Sequence, residues 1–71
     1  MKQKPVRTLI TSSTQYYSYM QYEIILYKCF GFWRIEVSAR NSKAHIGEQT
    51  TAAQALAAAV EYCDGREAGT V

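Results

Sequence analysis

Residues 33–39 read Trp-Arg-Ile-Glu-Val-Ser-Ala and alternate between apolar and polar side chains. Successive side chains of a β-strand point to opposite faces of the sheet, so the alternation predicts a strand with one buried and one outward face. The predicted buried side holds Trp33, Ile35, Val37 and Ala39. The predicted outward side holds Phe32, Arg34, Glu36, Ser38 and Arg40. This strand therefore fixes which side of the sheet should carry the core.

The segments on either side of this strand predict two partners for it. Phe30-Gly31-Phe32 predicts a turn, because Gly31 accepts a positive φ without a steric penalty. Residues 16–29 contain no Gly or Pro and are rich in Tyr and Ile, which predicts one long strand. Residues 40–43 predict the next turn, and Ala44-His45-Ile46 a short strand that ends at Gly47. We therefore expect a three-stranded antiparallel sheet.

An alanine-rich helix is predicted after the sheet. Thr51-Ala52-Ala53-Gln54 fits a capping box, with Thr51 as N-cap and Gln54 at the third helical position. The helix should run from Ala52 to Cys63 and end at Asp64-Gly65. Its expected core stripe is Leu56, Ala59, Val60 and Cys63, packed on Trp33, Ile35, Val37 and Ile46. The expected fold class is α+β, with the sheet packed against one C-terminal helix.

The ends of the chain differ in character from its middle. Residues 1–15 are predicted to form either an N-terminal arm or an extra edge strand, because Val6–Thr11 is rich in β-branched residues and follows Pro5. Thr11-Ser12-Ser13-Thr14 predicts a polar loop. Residues 16–65 should form the sheet-plus-helix domain, and residues 66–71 a flexible tail.

Length and composition restrict the class of protein. Seventy-one residues suffice for one small domain, and 48% hydrophobic and 20% charged residues are typical of a globular one. No apolar run approaches the roughly 20 residues that cross a bilayer, so no membrane partner is expected. No apolar signal segment follows the basic residues 1–5, so we expect a cytoplasmic protein. In that compartment Cys29 and Cys63 should be reduced, small core residues.

Residues suited to catalysis are few. His45 is the single histidine, and its spacing from Cys29 and Cys63 matches no familiar zinc pattern. The sequence has no Gly-rich phosphate loop and no paired carboxylate motif. We therefore expect a non-enzymatic binding module without catalytic residues, metal or cofactor.

The sheet face opposite the helix is where a partner is expected. If Ile25, Tyr27 and Cys29 point at the helix, then their neighbours in the strand point away from it. The resulting apolar outer patch would comprise Ile24, Leu26, Phe30 and Phe32. Such a patch has to be covered, and its cover is expected to be the N-terminal arm, a second copy of the chain or a partner.

A nucleic acid is the first candidate partner. Residues 1–43 carry seven Lys/Arg against Glu23 and Glu36, a balance of +5, whereas residues 44–71 carry a balance of −3. A three-stranded sheet can lie in the major groove of DNA with its outward side chains on bases and phosphates. The predicted contact residues are Lys28, Phe30, Arg34, Glu36, Arg40, Lys43 and His45. Lys2, Lys4 and Arg7 would follow the DNA backbone as secondary arm contacts.

One known family has a similar pattern. The similarity rests on the residues Tyr22…Ile25…Lys28…Phe30-Gly31-Phe32-Trp33-Arg34-Ile35-Glu36-Val37, with His45-Ile46-Gly47 and Thr51-Ala52-Ala53-Gln54-Ala55 further on. Over residues 22–62 the chain resembles the ethylene-response (APETALA-type) DNA-binding domain, whose sheet-plus-helix plan the arm-type domains of phage integrases share. The resemblance implies a groove-reading face at Lys28, Phe30, Glu36, Lys43 and His45, with Trp33 as the core aromatic. Where that family has arginines, this chain has Glu23, Leu26 and Ser38.

A protein is the second candidate partner. The apolar outer patch and the Tyr-rich segment Tyr16–Tyr27 favour a small regulatory or inhibitory protein of the phage or mobile-element type. Tyrosine is frequent at interfaces because it combines a large contact area with a polar tip. A homodimer through the sheet edge or through the apolar outer face is a further form of this hypothesis.

Overall fold

The computed structural model describes residues 4–40 and 42–67. Among these residues, five strands form one antiparallel sheet, and a helix follows the last strand. The elements are β1 (Val6–Ile10), β2 (Thr14–Tyr19), β3 (Tyr22–Cys29), β4 (Phe32–Ala39), β5 (Ser42–Gln49) and α1 (Ala52–Glu67). The strands lie in the sheet in sequence order, so each pairs with the next through a short turn.

The core lies between one face of the sheet and α1, which packs chiefly on β3, β4 and β5. The fully buried side chains of the sheet include Ile24, Leu26 and Ile35. They meet buried residues spaced four apart on the helix, namely Ala55, Ala59 and Cys63. Because two of these are alanines, the helix approaches the sheet closely. The predicted α+β arrangement with a C-terminal helix is confirmed, and so is the inward side of β4, where Val37 is also buried.

The prediction of a three-stranded sheet is wrong, because the described part of the chain contains five strands. Residues 16–29 do not form one long strand but fold back at Met20 and Gln21, where Tyr19 pairs with Tyr22. Met20 makes this turn with φ 54°, a conformation that is uncommon outside glycine. The turn has neither Gly nor Pro, so the usual sequence signal is missing. The fifth strand is β1, which pairs with β2 as the edge strand that was one of the two alternatives for residues 1–15.

The predicted facing of β3 is also wrong. Ile24 and Leu26 point at the helix, and Ile25, Tyr27 and Cys29 lie on the opposite side. The cause is the length of the turn: only Phe30 and Gly31 connect β3 to β4, so Cys29 pairs with Phe32. Paired residues share a face, and Phe32 points away from the helix. A shift of one residue in the register reverses every side chain of a strand.

Two predicted ends of elements need correction. The last strand continues through Gly47, which sits at φ 134° beside a bulge that places Gly47 opposite Ile35 and His45 opposite Glu36. Likewise, α1 does not end at Asp64-Gly65 but continues to Glu67. In its last turn Arg66 Nη1 donates to Tyr62 Oη at 3.1 Å and the guanidinium lies over the Tyr62 ring. A cation at this end also favours the helix through its dipole.

The start of α1 follows the sequence prediction. Gln54 N donates to Thr51 Oγ1 at 3.1 Å, which confirms Thr51 as the N-cap. The Gln54 side chain accepts a hydrogen bond from the Thr50 hydroxyl at 2.8 Å. The predicted core stripe is correct at Ala59 and Cys63, whereas Leu56 and Val60 are half-buried on its flank.

The loop between β1 and β2 forms where the polar residues predict it. Thr11 N donates to Thr14 O at 2.7 Å, and Thr14 N donates to Thr11 Oγ1 at 3.0 Å. Ser13 O accepts from Lys28 N at 2.8 Å, which ties this loop to the end of β3. In the described ranges, no helix combines the length and the apolar character required to cross a membrane.

Candidate functional site

The outer face of the sheet, defined as the face opposite α1, carries a contiguous apolar surface. Leu9, Tyr16 and Ile25 are successive cross-strand neighbours on β1, β2 and β3. Tyr27 follows two residues after Ile25, and Phe32 pairs with Cys29 beyond it. We call Leu9, Tyr16, Ile25, Tyr27 and Phe32 the outer apolar patch. Leu9 is 54% exposed and Phe32 46%, and the other three are half-buried.

The position of this patch corrects the sequence prediction. Of the four residues predicted to form it, Ile24 and Leu26 are in the core and only Phe32 belongs to it. Phe30 lies in the turn rather than on a strand. Ile25 and Tyr27 were missed because the predicted turn was one residue too long, and a two-residue reading of Phe30-Gly31 would have found them, since turn length fixes the register. Tyr16 was missed because the fold-back at Met20 and Gln21, which pairs it with Ile25, was not predicted.

Two cations of the outer face, Arg34 and Lys43, are paired with carboxylates. Arg34 Nε donates to Glu48 Oε2 at 2.7 Å, and Lys43 Nζ lies 3.7 Å from Glu36 Oε1. Glu36 also accepts a hydrogen bond from the Tyr27 hydroxyl at 3.3 Å. Hydrogen bonds from Arg34 to Glu48 and Tyr27 raise the pKa of the Arg34 guanidinium above its usual value. Such exposed pairs add little to stability, but they neutralise the positive charge of this face.

The remaining predicted contact residues are dispersed. Lys28 pairs with Trp33 and therefore projects on the helix side of the sheet, contrary to the prediction that it lies on the outer face. His45 is exposed on the outer face opposite Glu36. Arg40 follows the last residue of β4, at the end of the sheet remote from Phe30.

The predicted arm residues also have separate positions. Arg7 lies within β1 opposite Tyr17, whose side chain is on the helix side. Lys4 is exposed just before β1. Lys2 is outside the described residues. Residues 6–10 extend the edge of the sheet rather than folding across its outer face, so β1 leaves the outer apolar patch uncovered.

Phe30 has the most unusual environment in the described part of the chain. It is 97% exposed at the tip of the β3–β4 hairpin, and its backbone has φ 52°. Gly31 follows at φ 83°, so both turn residues have the positive φ of a type I′ turn. That turn favours Asn-Gly, whereas a left-handed backbone costs an ordinary residue about 1–2 kcal/mol. Phe30 thus combines an unfavourable backbone with a fully exposed phenyl ring.

The cysteines and the histidine are too far apart for joint chemistry. Cys63 is buried on the side of α1 that faces the sheet, whereas Cys29 and His45 lie on the outer face. Cys29 is opposite Phe32 and His45 is opposite Glu36, four residues further along β4. Four residues of a strand span about 13 Å. These three side chains therefore do not converge on one ligand or one reacting group.

Comparisons with known proteins assign this chain to no family. No protein-family model, curated protein or solved structure matches this chain. The resemblance to the APETALA-type and integrase arm-type domains stays a prediction from its motifs. The candidate site is therefore defined by geometry alone, as the outer apolar patch with Phe30 at its hairpin tip.

Proposed function

We propose that this chain is a small non-enzymatic module that binds a protein partner through the outer apolar patch and Phe30. The observation that carries the proposal is the exposed Phe30 ring on a backbone with φ 52°. Strained residues cluster at functional sites, and of the two non-glycine residues with positive φ in the described ranges, Phe30 is far more exposed (97%) than Met20 (37%). Burying an exposed phenyl ring in a partner contributes about 1.5–3 kcal/mol, which is enough to offset a backbone cost of about 1–2 kcal/mol.

The surface next to Phe30 supports a protein rather than a polyanion as the partner. Phe32 and Tyr27 continue the apolar surface from the hairpin tip to the centre of the sheet. Their cationic neighbours Arg34 and Lys43 are each paired with a glutamate. Binding to nucleic acid depends on free cations that displace counterions from phosphates. A partner with a flat apolar surface and a pocket for one phenyl ring complements this arrangement best.

Phe30→Asn tests the proposal, because Asn suits a type I′ turn and removes only the aromatic anchor. Met20→Asn is a matched control, since Met20 also has a positive φ but lies in the β2–β3 turn at the other end of β3. Wild type and both variants would be immobilised and offered lysate from cells that make the chain. We expect wild type and Met20→Asn to retain the same protein, which Phe30→Asn binds about 30-fold more weakly, as for a typical hot spot. Equal retention by wild type and Phe30→Asn would contradict the proposal.

A single-stranded nucleic acid is the second candidate, and Lys28 supports it. This exposed lysine lies two residues before Phe30, so a phosphate contact and a base stacked on the ring would be close together. Fluorescence anisotropy with labelled single-stranded DNA and RNA at two salt concentrations separates the candidates. Salt-sensitive binding that both Lys28→Ala and Phe30→Asn reduce would favour the nucleic acid. A protein-binding module should show no such binding.

A further inference from the structure

The helix covers only part of the inner face of the sheet. Adjacent strands are about 4.8 Å apart, and α1 packs chiefly on β3, β4 and β5. β1 and the part of β2 before Tyr19, whose side chain is buried in the core, therefore leave a strip of the helix side up to about 10 Å wide, which is the diameter of one helix. We call this strip the inner slot.

The floor and wall of the inner slot are mainly apolar, with charged residues at one end. On its floor, Ile10 is 48% exposed and Tyr17 is half-buried, and both lie on the helix side of their strands. One flank of α1 forms the wall, with residues spaced by three, four and seven. These residues are Ala53, Leu56, Ala57 and Val60, and together with Pro5, Glu61 and Asp64 they line a depression of about 460 Å³. The flank thus forms a second apolar stripe beside the one that packs on the sheet.

We propose that α1 of a second copy of this chain occupies the inner slot, so that two sheets enclose a layer of two helices. A two-fold axis running along the helices brings the two flanks together and places each helix over β1 and β2 of the other copy. Both copies then use the same surface, as a two-fold dimer requires. Ala53 and Ala57 permit the short interhelical distance that such side-by-side packing needs.

The charges of the slot favour a second copy over an unrelated helix. Arg7 projects on the floor side of β1, and Glu61 lies on the exposed side of α1, one turn after Ala57. Within residues 4–40 and 42–67, neither side chain forms an ion pair. Pro5 and Glu61 line the same depression, so the start of β1 and this turn of α1 are at the same level. With the helices parallel, Glu61 of each copy would face Arg7 of the other.

Sedimentation velocity of the full chain over micromolar to millimolar concentration tests this proposal. Wild type should dimerise reversibly, at twice the chain mass of 8.0 kDa. Ala57→Lys should weaken the dimer at least tenfold, because it puts a long charged side chain into the helix contact. Ser18→Lys is the matched control, being exposed on the outer face of β2, and should leave dimerisation unchanged.

A charge swap tests the Arg7–Glu61 contact separately. Arg7→Glu and Glu61→Arg should each weaken the dimer several-fold, and the double variant should recover most of the loss. Circular dichroism verifies that each variant is folded. A wild type that is monomeric at every concentration, or a dimer indifferent to Ala57→Lys and to the swap, would overturn the inference. Phe30→Asn should not alter dimerisation, so failure here leaves the proposed function standing.

Discussion

The Tyr19 hydroxyl donates a hydrogen bond of 2.6 Å to Asp64 Oδ1 and so joins the end of β2 to the last turns of α1. The two residues are 45 positions apart, and Tyr19 is buried in the core cluster. The pair therefore ties the edge half of the sheet to the helix.

Removing this hydroxyl should destabilise the fold without changing its packing. Tyr19→Phe retains the buried ring but leaves the Asp64 carboxylate without this donor. We expect the melting temperature to fall by about 5 °C, the size typical of a lost hydrogen bond in a domain this small. Tyr62→Phe is a suitable control, because its hydroxyl contacts only the exposed Arg66 among the bonds described above. An equal loss in both variants would contradict a special role for Tyr19.

The same contact predicts how stability depends on alkaline pH. The hydrogen bond to Asp64, burial and the charge of Asp64 raise the pKa of Tyr19 from 10.0 to about 12. Because the folded-state pKa lies above the unfolded one, this stabilisation is complete below pH 10 and is lost as pH rises towards about 12. Urea unfolding across this range should show a steeper loss for wild type than for Tyr19→Phe. Parallel curves for the two proteins would refute the assignment.

The facing of β3 can be tested by truncating two neighbouring residues. Leu26→Ala removes a fully buried side chain and should lower the free energy of unfolding by about 2–5 kcal/mol. Ile25→Ala changes the adjacent residue on the outer face and should cost roughly 1 kcal/mol. The facing expected from sequence alone would reverse this order, so chemical denaturation of the two variants decides between them.

The incorrect prediction for the facing of β3 shows which parts of the fold could be predicted from the sequence. The alternation from Trp33 to Ala39 identifies the inner side of β4 because each apolar residue there has a polar neighbour. In β3, Ile24, Ile25, Leu26 and Tyr27 are all apolar or aromatic, so the pattern within the strand cannot choose a face. The length of the Phe30-Gly31 turn makes the choice through pairing with β4. The turn at Met20 could not be predicted either, because it contains none of the residues that usually mark a turn. It forms because Tyr19 pairs with Tyr22.

The protein with Phe30 should be less stable than a variant that has a turn-favouring residue at this position. Phe30→Asn is expected to raise the free energy of unfolding by about 0.5–1 kcal/mol, because asparagine tolerates the left-handed backbone and phenylalanine does not. Gly31→Ala should act in the opposite direction, since Gly31 has φ 83°. Thermal unfolding of both variants measures these effects. A Phe30→Asn variant less stable than wild type would remove the argument that the ring is kept for binding.

The paired charges of the outer face lead to a prediction about nucleic acids. Glu36→Gln and Glu48→Gln together would remove the carboxylates that neutralise Lys43 and Arg34, raising the net charge by two. Since free cations drive binding to phosphates, the double variant should bind duplex DNA more tightly than wild type does, with an affinity that falls as the salt concentration rises. Stability should change little, because exposed ion pairs contribute little to folding. Glu67→Gln together with Glu23→Gln gives the same net charge and keeps Glu36 and Glu48, so it should gain less DNA affinity. Equal affinity in both double variants would show that net charge, rather than the pairing on the outer face, controls the affinity for DNA.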